Sequence, residues 1–164
     1  MDHEHYMQLA IEEAKKAFES GETPVGCIVV DDSNTIVGKG RNRREKEKCA
    51  TKHAEIEAIA NACKTIGDWR LSGCTLYVTL EPCPMCAGAA IMSRISTVVY
   101  GARDELTGSC GSIINLFMEQ YGNSTKVIGG IMADECSALM TGFFNKLRNS
   151  PEKRTNGRGE DEIL

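Results

Sequence analysis

Cys74-Thr75-Leu76-Tyr77-Val78-Thr79-Leu80-Glu81-Pro82-Cys83-Pro84-Met85-Cys86 changes character part-way along its length. The first seven residues form a nearly continuous apolar run, as in a strand buried on both faces. Glu81-Pro82 breaks the run, and Pro82 suits the start of a helix, where a missing N–H costs nothing. The helix expected over 83–93 contains Ala87, Gly88, Ala89 and Ala90, which permit close packing. Cys83 and Cys86 fall on one face of its first turn and can share one metal ion. A helix N-terminus also lowers thiol pKa, so both can bind as thiolates.

A lone Cys-x-x-Cys is ambiguous between metal and redox chemistry. His53-Ala54-Glu55 upstream changes the reading. His53, Cys83 and Cys86 supply the three protein ligands of a catalytic zinc, with a fourth position left for water. Glu55 would project beside the metal without binding it. A thiol–disulfide site would have no need of His53 and Glu55. A structural zinc would want a fourth protein ligand, for which Cys110, His3 and His5 are the candidates. Taken alone, Glu55 reads as a helix-start carboxylate favoured by the dipole.

One imidazole and two thiolates on zinc lower the pKa of its water from about 15.7 towards about 7, so a hydroxide exists at neutral pH. Such a hydroxide can attack an amidine carbon, for example C4 of cytosine or C6 of adenine. One carboxylate can carry protons to the ring nitrogen and then to the departing amine. Glu55 is the candidate.

The remaining chain has a regular plan. Residues 4–19 place Met7, Ala10, Ile11, Ala14, Ala17 and Phe18 at helical spacing. Residues 25–30 and 35–38, joined by Asp31-Asp32-Ser33-Asn34, predict an antiparallel hairpin. Gly38, Gly40 and Asn42 then open a loop. A helix is expected over 53–66, with Thr51 or Lys52 near its N-cap and Ile56, Ile59, Ala60 and Cys63 as its buried stripe. Strands are expected over 97–100 and 126–131, a short helix over 113–118, and a last helix over 134–147 with Cys136, Leu139, Met140, Phe143, Phe144 and Leu147 inward. A hairpin followed by alternating strand and helix implies an α/β/α layered domain, whose ligands bind at the carboxyl ends of strands.

The chain's 164 residues suggest one domain with one substantial core. No run of eighteen apolar residues predicts a membrane span. Met1-Asp2-His3-Glu4-His5 lacks the apolar core of a secretory signal, so Cys27, Cys49, Cys63, Cys74, Cys110 and Cys136 read as reduced thiols and the expected compartment is the cytoplasm. A net charge of −4 gives no support to a general nucleic-acid binder. Residues 39–52, however, set Lys39, Arg41, Arg43, Arg44, Lys46, Lys48 and Lys52 against Glu45 and Glu47, a local +5 that can track phosphates or can be a solvated loop of mixed charge. The polar segment 149–164 has no apolar period, and disorder is expected there.

His-x-Glu followed by Pro-Cys-x-x-Cys marks the zinc-dependent nucleobase deaminases. Over residues 7–148 the chain resembles the bacterial tRNA-specific adenosine deaminases, within the cytidine/deoxycytidylate deaminase superfamily. The narrower likeness rests on Thr23-Pro24-Val25-Gly26, on Ile56 after His53-Ala54-Glu55, on the 76–89 stretch, on Val98-Val99-Tyr100-Gly101-Ala102-Arg103-Asp104, on Ala133-Asp134-Glu135-Cys136-Ser137-Ala138-Leu139, and on Phe143-Phe144. The resemblance implies a three-layer α/β/α sandwich around a mixed five-stranded sheet, with residues 1–148 as the deaminase domain and 149–164 as its tail. It implies a homodimer with one Zn2+ per subunit that converts the wobble adenosine of a tRNA anticodon stem-loop to inosine. It also implies that Asn42 hydrogen-bonds the flipped base, Ala54 shapes the base pocket, Asp104 touches the ribose–phosphate path and Phe144 lines the loop-binding surface. Asn42 also reads plainly as a turn residue. Asn123-Ser124 stands where the family usually carries Asn-His. A deaminase of a free nucleobase or nucleoside, and a zinc-stabilised RNA-binding module without turnover, are the competing readings.

Overall fold

The computed structural model describes residues 1–122 and 124–150. The tail expectation for 149–164 therefore falls almost wholly outside the described residues. Five strands, β1 (Gly26–Val30), β2 (Ile36–Arg41), β3 (Thr75–Leu80), β4 (Thr97–Ala102) and β5 (Lys126–Ile128), form one sheet in the order β2-β1-β3-β4-β5. β1 runs antiparallel to both β2 and β3, while β3–β4 and β4–β5 are parallel. Five helices accompany them: α1 (His3–Glu19), α2 (Arg44–Glu47), α3 (Ala54–Ile66), α4 (Pro84–Met92) and α5 (Ala133–Arg148).

Alternate strand residues feed two separate cores. Cys27, Val29, Leu76, Val78, Val98 and Tyr100 pack with Ala54, Ala58 and Ala62 of α3 and Ala90 of α4. Ile28, Val30, Tyr77 and Val99 pack on the other face with Tyr6, Met7, Ala10 and Ile11 of α1 and Cys136 of α5. Helices thus cover both faces, and the continuous apolar run of β3 is a strand buried on both sides. This is the expected three-layer sandwich with a mixed five-stranded sheet.

Several local expectations are corrected. Gly38 and Gly40 lie within β2 and do not open a loop. The buried stripe of α3 is Ala54, Ala58 and Ala62, with Ile59 and Cys63 only partly covered and Ala60 exposed. The reason is steric. A Cβ on Gly40 would stand 2.1 Å from the Ala54 carbonyl, and one on Gly38 would stand 2.2 Å from the Ala58 carbonyl. α3 rests so close on β2 that only small residues fit between them. The first helical residue of α4 is Pro84, with Cys83 as its N-cap, so the helix starts two residues beyond Pro82. Likewise His53, not Thr51 or Lys52, caps α3. The 113–118 segment reduces to a 3-10 turn over Leu116–Met118, β4 extends to Ala102, and β5 ends at Ile128. In α5 only Cys136 and Phe143 are fully buried.

Gly40→Ala should destabilise the fold by at least about 3 kcal/mol in urea unfolding, the upper end for overpacking, because the added methyl meets backbone that cannot swing away. Gly142→Ala is the control: its Cβ would meet only Phe18 at an ordinary 3.9 Å. It should stabilise α5 by about 0.5–1 kcal/mol.

Candidate active site

Two helix N-termini converge at the end of the sheet where β2, β3 and β4 finish. His53 caps α3 with φ −86° and ψ 155°, and Cys83 caps α4 with φ −71° and ψ 172°. Both therefore have the extended backbone of an N-cap, yet neither side chain makes a capping hydrogen bond to its helix. The imidazole and the thiol are turned instead towards each other. His53 Nδ1 lies 3.6 Å from Cys83 Sγ and 3.5 Å from Cys86 Sγ. Tetrahedral zinc, with bonds of about 2.0–2.1 Å to nitrogen and 2.3 Å to sulfur, requires nitrogen–sulfur separations of about 3.6 Å. The donor set and its spacing both fit that ion.

Among the described residues these three form the group of His, Cys, Asp and Glu side chains with metal-holding spacing, their ligand atoms lying within 4.8 Å of one another. Cys110 stands outside the group, and His3 is engaged elsewhere, with its Nδ1 3.0 Å from the Tyr77 hydroxyl. Among the described residues no fourth protein ligand, which a closed structural site would need, joins the group. All eight cysteines are free thiols.

Burial and neighbouring charge tune the group. The Cys83 thiol is held down to about 4, chiefly by the hydrogen bond with the Cys86 thiol and next by His53. Cys86 moves up, through that same bond and through burial. His53 is raised by its bond to Cys83. Glu55, in the first turn of α3, is 4 % exposed, and desolvation lifts its carboxyl to about 7. That places its proton affinity near neutrality, as a group that must both take and return a proton requires. Cys27 is a fully buried neighbour whose thiol is pushed up by burial and by Glu55.

The cluster opens into a cleft of about 1400 Å³. His53, Glu55 and Cys83 line it, as do Asn42, Ala54, Asp104 and Phe144. Cys86 alone of the eight expected site residues lies beneath this surface, 1 % exposed. The MafB19-like deaminase family matches residues 1–148 of the chain. The tRNA-specific adenosine deaminase of Bacillus subtilis (strain 168) is 47% identical over 146 residues, covering 88% of this chain and 90% of that one. The chain belongs to the tRNA-specific adenosine deaminase family. A structure solved in work on A-to-I editing by tRNA:A34 deaminases at the wobble position of transfer RNA superposes with a TM-score of 0.78 at 38% identity, covering 82% of the deaminase and 98% of that chain. The guanine deaminase of Bacillus subtilis shares 28% identity with a TM-score of 0.61, covering 98% and 99%.

Two of the residues that line the deaminase's cleft do structural work. Asn42 is 7 % exposed, and its Oδ1 accepts from the Arg44 N–H at 3.1 Å, which starts α2. Asp104 Oδ1 accepts from the backbone N–H groups of Leu106 and Thr107 at 3.0 and 3.1 Å, and its Oδ2 accepts from the Thr107 hydroxyl at 2.7 Å. Its carboxylate holds a turn on the cleft wall. The basic strip is less free than its +5 suggests. Arg41 pairs with Glu13, Arg43 with Glu57 at 2.9 Å, Arg44 with Glu45 at 3.8 Å, and Lys52 with Glu47 at 3.2 Å. The cations that reach the cleft are Arg44 and Lys48 from the strip and Arg103 from the segment after β4. Arg103 was visible only within the family-like Gly-Ala-Arg-Asp stretch. Glu22, which accepts from the N–H groups of Glu45 and Lys46 to cap α2, carried no sequence signal.

Removal of a single ligand checks the metal reading. His53→Ala and Cys86→Ala should each drop zinc from about one per chain to near zero in elemental analysis of purified protein, because a site with two remaining ligands is incomplete.

Proposed function

We propose that this chain hydrolyses the wobble adenosine of a tRNA anticodon loop to inosine, with one zinc per subunit held by His53, Cys83 and Cys86. The observation that carries the reading is the buried Glu55 beside a three-ligand metal cluster, opening into a cleft of about 1400 Å³. Pockets for single drug-sized ligands run to about 300–1,000 Å³. A free base would leave most of this cleft empty, whereas a flipped base with its flanking nucleotides can use its walls. Single-stranded loops also present such a base at less unstacking cost than a duplex.

Zinc supplies, when bound, a water of lowered pKa. The chain's own residues supply the rest. Glu55 in its carboxylate form takes a proton from the attacking water and delivers it to the purine N1 as the oxygen adds to C6. The remaining proton of the hydroxyl now on C6 passes through the same carboxyl to the exocyclic nitrogen, the C6–N6 bond breaks, ammonia leaves with its electron pair, and the C6 oxygen becomes the carbonyl of inosine. Ala54 and the aliphatic wall of Val25 and Leu80 exclude water around the base. Asn42 orients the base, Asp104 shapes the ribose path through the turn that it holds, and Phe144 offers a stacking face.

The same reading includes a homodimer in the cytoplasm, with residues 1–148 as the working domain and 149–164 as an appendage. A dimer is supported by exposed Met92 at the end of α4, by exposed Ile113, Ile114 and Met118 in and just before the 3-10 turn that packs on α4, and by open space around Gly88 on α4.

Zinc-loaded protein should form inosine in an anticodon stem-loop with adenosine at the wobble position and leave free adenosine, cytidine and guanine unchanged. Ammonia from a free base with the stem-loop untouched would overturn the substrate. Glu55→Gln should keep its zinc and lose about 10²–10⁴-fold in kcat, the range for a positioned acid–base group.

Binding of the stem-loop should weaken with salt. If Arg44, Lys48 and Arg103 each neutralise one phosphate, the slope of log affinity against log salt should be about −2, at about −0.7 per single-strand contact. Lys48→Ala should flatten it by about 0.7, and a flat response in the unmodified chain would remove the phosphate contacts from the reading.

A further inference from the structure

Glu81 is a carboxylate 2 % exposed, sitting between the end of β3 and Cys83. No cation pairs with it among the described residues. It accepts instead from one segment of chain. Oε1 accepts from the Asp104 N–H at 3.3 Å and from the Ser112 hydroxyl at 2.5 Å. Oε2 accepts from the Cys110 N–H at 3.0 Å and the Ser112 N–H at 3.2 Å. The backbone around it joins in: Glu81 N–H donates to the Ala102 carbonyl at 2.8 Å, and Ser109 N–H donates to the Pro82 carbonyl at 2.9 Å. Gly108 completes the fit, since a Cβ there would lie 2.4 Å from Glu81 Oε2 and 2.3 Å from the Asp104 carbonyl.

The loop gathered in this way contributes Arg103, Asp104, Leu106 and Thr107 to the cleft. Arg103 is tied in by a relay: its Nε donates to Ser112 Oγ at 3.2 Å, and that hydroxyl donates to Glu81. A buried carboxylate without a counter-ion is costly unless donors surround it. Core filling would be served by an apolar residue of similar volume. What a carboxylate adds is a single acceptor that several loop donors can reach at once.

We propose that Glu81 is a positioning residue of this deaminase: it fixes the 103–112 loop to the strand end that bears Cys83 and, through Ser112, aims Arg103 at a phosphate of the nucleic-acid substrate. The proposal rests on the function proposed above for its last clause only. Glu81 touches neither the reacting atoms nor the metal site. It acts on how the substrate is held.

The test compares zinc-loaded full-length chain with Glu81→Gln and Ser112→Ala. Ser112→Ala removes one hydroxyl from a half-buried position, so it remains informative if Glu81→Gln fails to fold. Amide hydrogen exchange at Asp104, Cys110 and Ser112 should quicken about tenfold or more, as loss of a hydrogen bond to a charged group allows. Zinc stoichiometry should stay at about one. On the anticodon stem-loop, KM should rise about tenfold with kcat nearly constant, and the salt slope of binding should flatten by about 0.7 as Arg103 is released. Unchanged loop exchange in both variants, or a fall in kcat at constant KM, would overturn the proposal. The exchange measurement needs no substrate. If the unmodified chain makes no inosine, the function reading fails while exchange still decides whether Glu81 holds the loop.

Discussion

Everything in the site depends on two helix N-termini being brought face to face. α3 begins at His53 and α4 begins at Cys83, and the positive ends of both dipoles point into the same small volume. Left alone, that arrangement is repulsive. It is stabilised by placing negative charge between the two ends. The Cys83 thiol, held down to about 4, supplies such a charge, and Cys86 and Glu55 lie within the same field. A dication held by His53, Cys83 and Cys86 would bind to the negative charge gathered there. The same convergence that would be costly in an ordinary core therefore gathers a donor set that fits a zinc ion.

The approach of the two helices is fixed from outside the site. On one side, Gly38 and Gly40 let α3 settle against β2, so that Ala54, next to His53, touches the strand backbone. On the other, β3 is clamped between antiparallel β1 and parallel β4, and its end delivers Glu81, Pro82 and Cys83 in fixed succession. The half-sites are set by packing that contains no catalytic group. The walls of the cleft follow from the same strand ends. α2 grows from the end of β2 under the Glu22 cap, and the 103–112 segment grows from the end of β4 under Glu81. Two buried carboxylates, each satisfied by backbone N–H groups, thus shape two parts of one cleft wall.

Much of this was legible in the chain because short-range spacing carried it. Cys83 and Cys86 three residues apart, and Glu55 two after His53, are local patterns that a helical turn converts directly into geometry. The apolar run of β3, the hairpin turn at Asp31-Asp32-Ser33-Asn34 and the periodicity of α1 needed no partner to be recognised. Asn42, Asp104 and Phe144 came through family resemblance, and each lines the cleft. The failures share a physical cause. The buried stripe of α3 is alanine although Ile56 and Ile59 are the more hydrophobic residues, because the close β2 backbone admits nothing larger. The basic strip is less free than its local sequence suggests because Glu13 and Glu57, the partners of Arg41 and Arg43, lie outside it in sequence.

The amino-acid sequence by itself determined the chemistry: which atoms can ligate a metal, which carboxyl stands beside them, and the order of strand and helix that makes a layered domain. These are properties of neighbours along the chain, within reach of one turn or one strand. Tertiary structure alone decided that His53 and the cysteine pair, 30 and more positions apart, would meet at 3.5–3.6 Å, which cations would line the cleft, and that Glu81 would gather a loop some 23–31 residues away. Such long-range meetings depend on the whole sheet closing at once, because each is the small remainder of packing and desolvation summed over many distant residues.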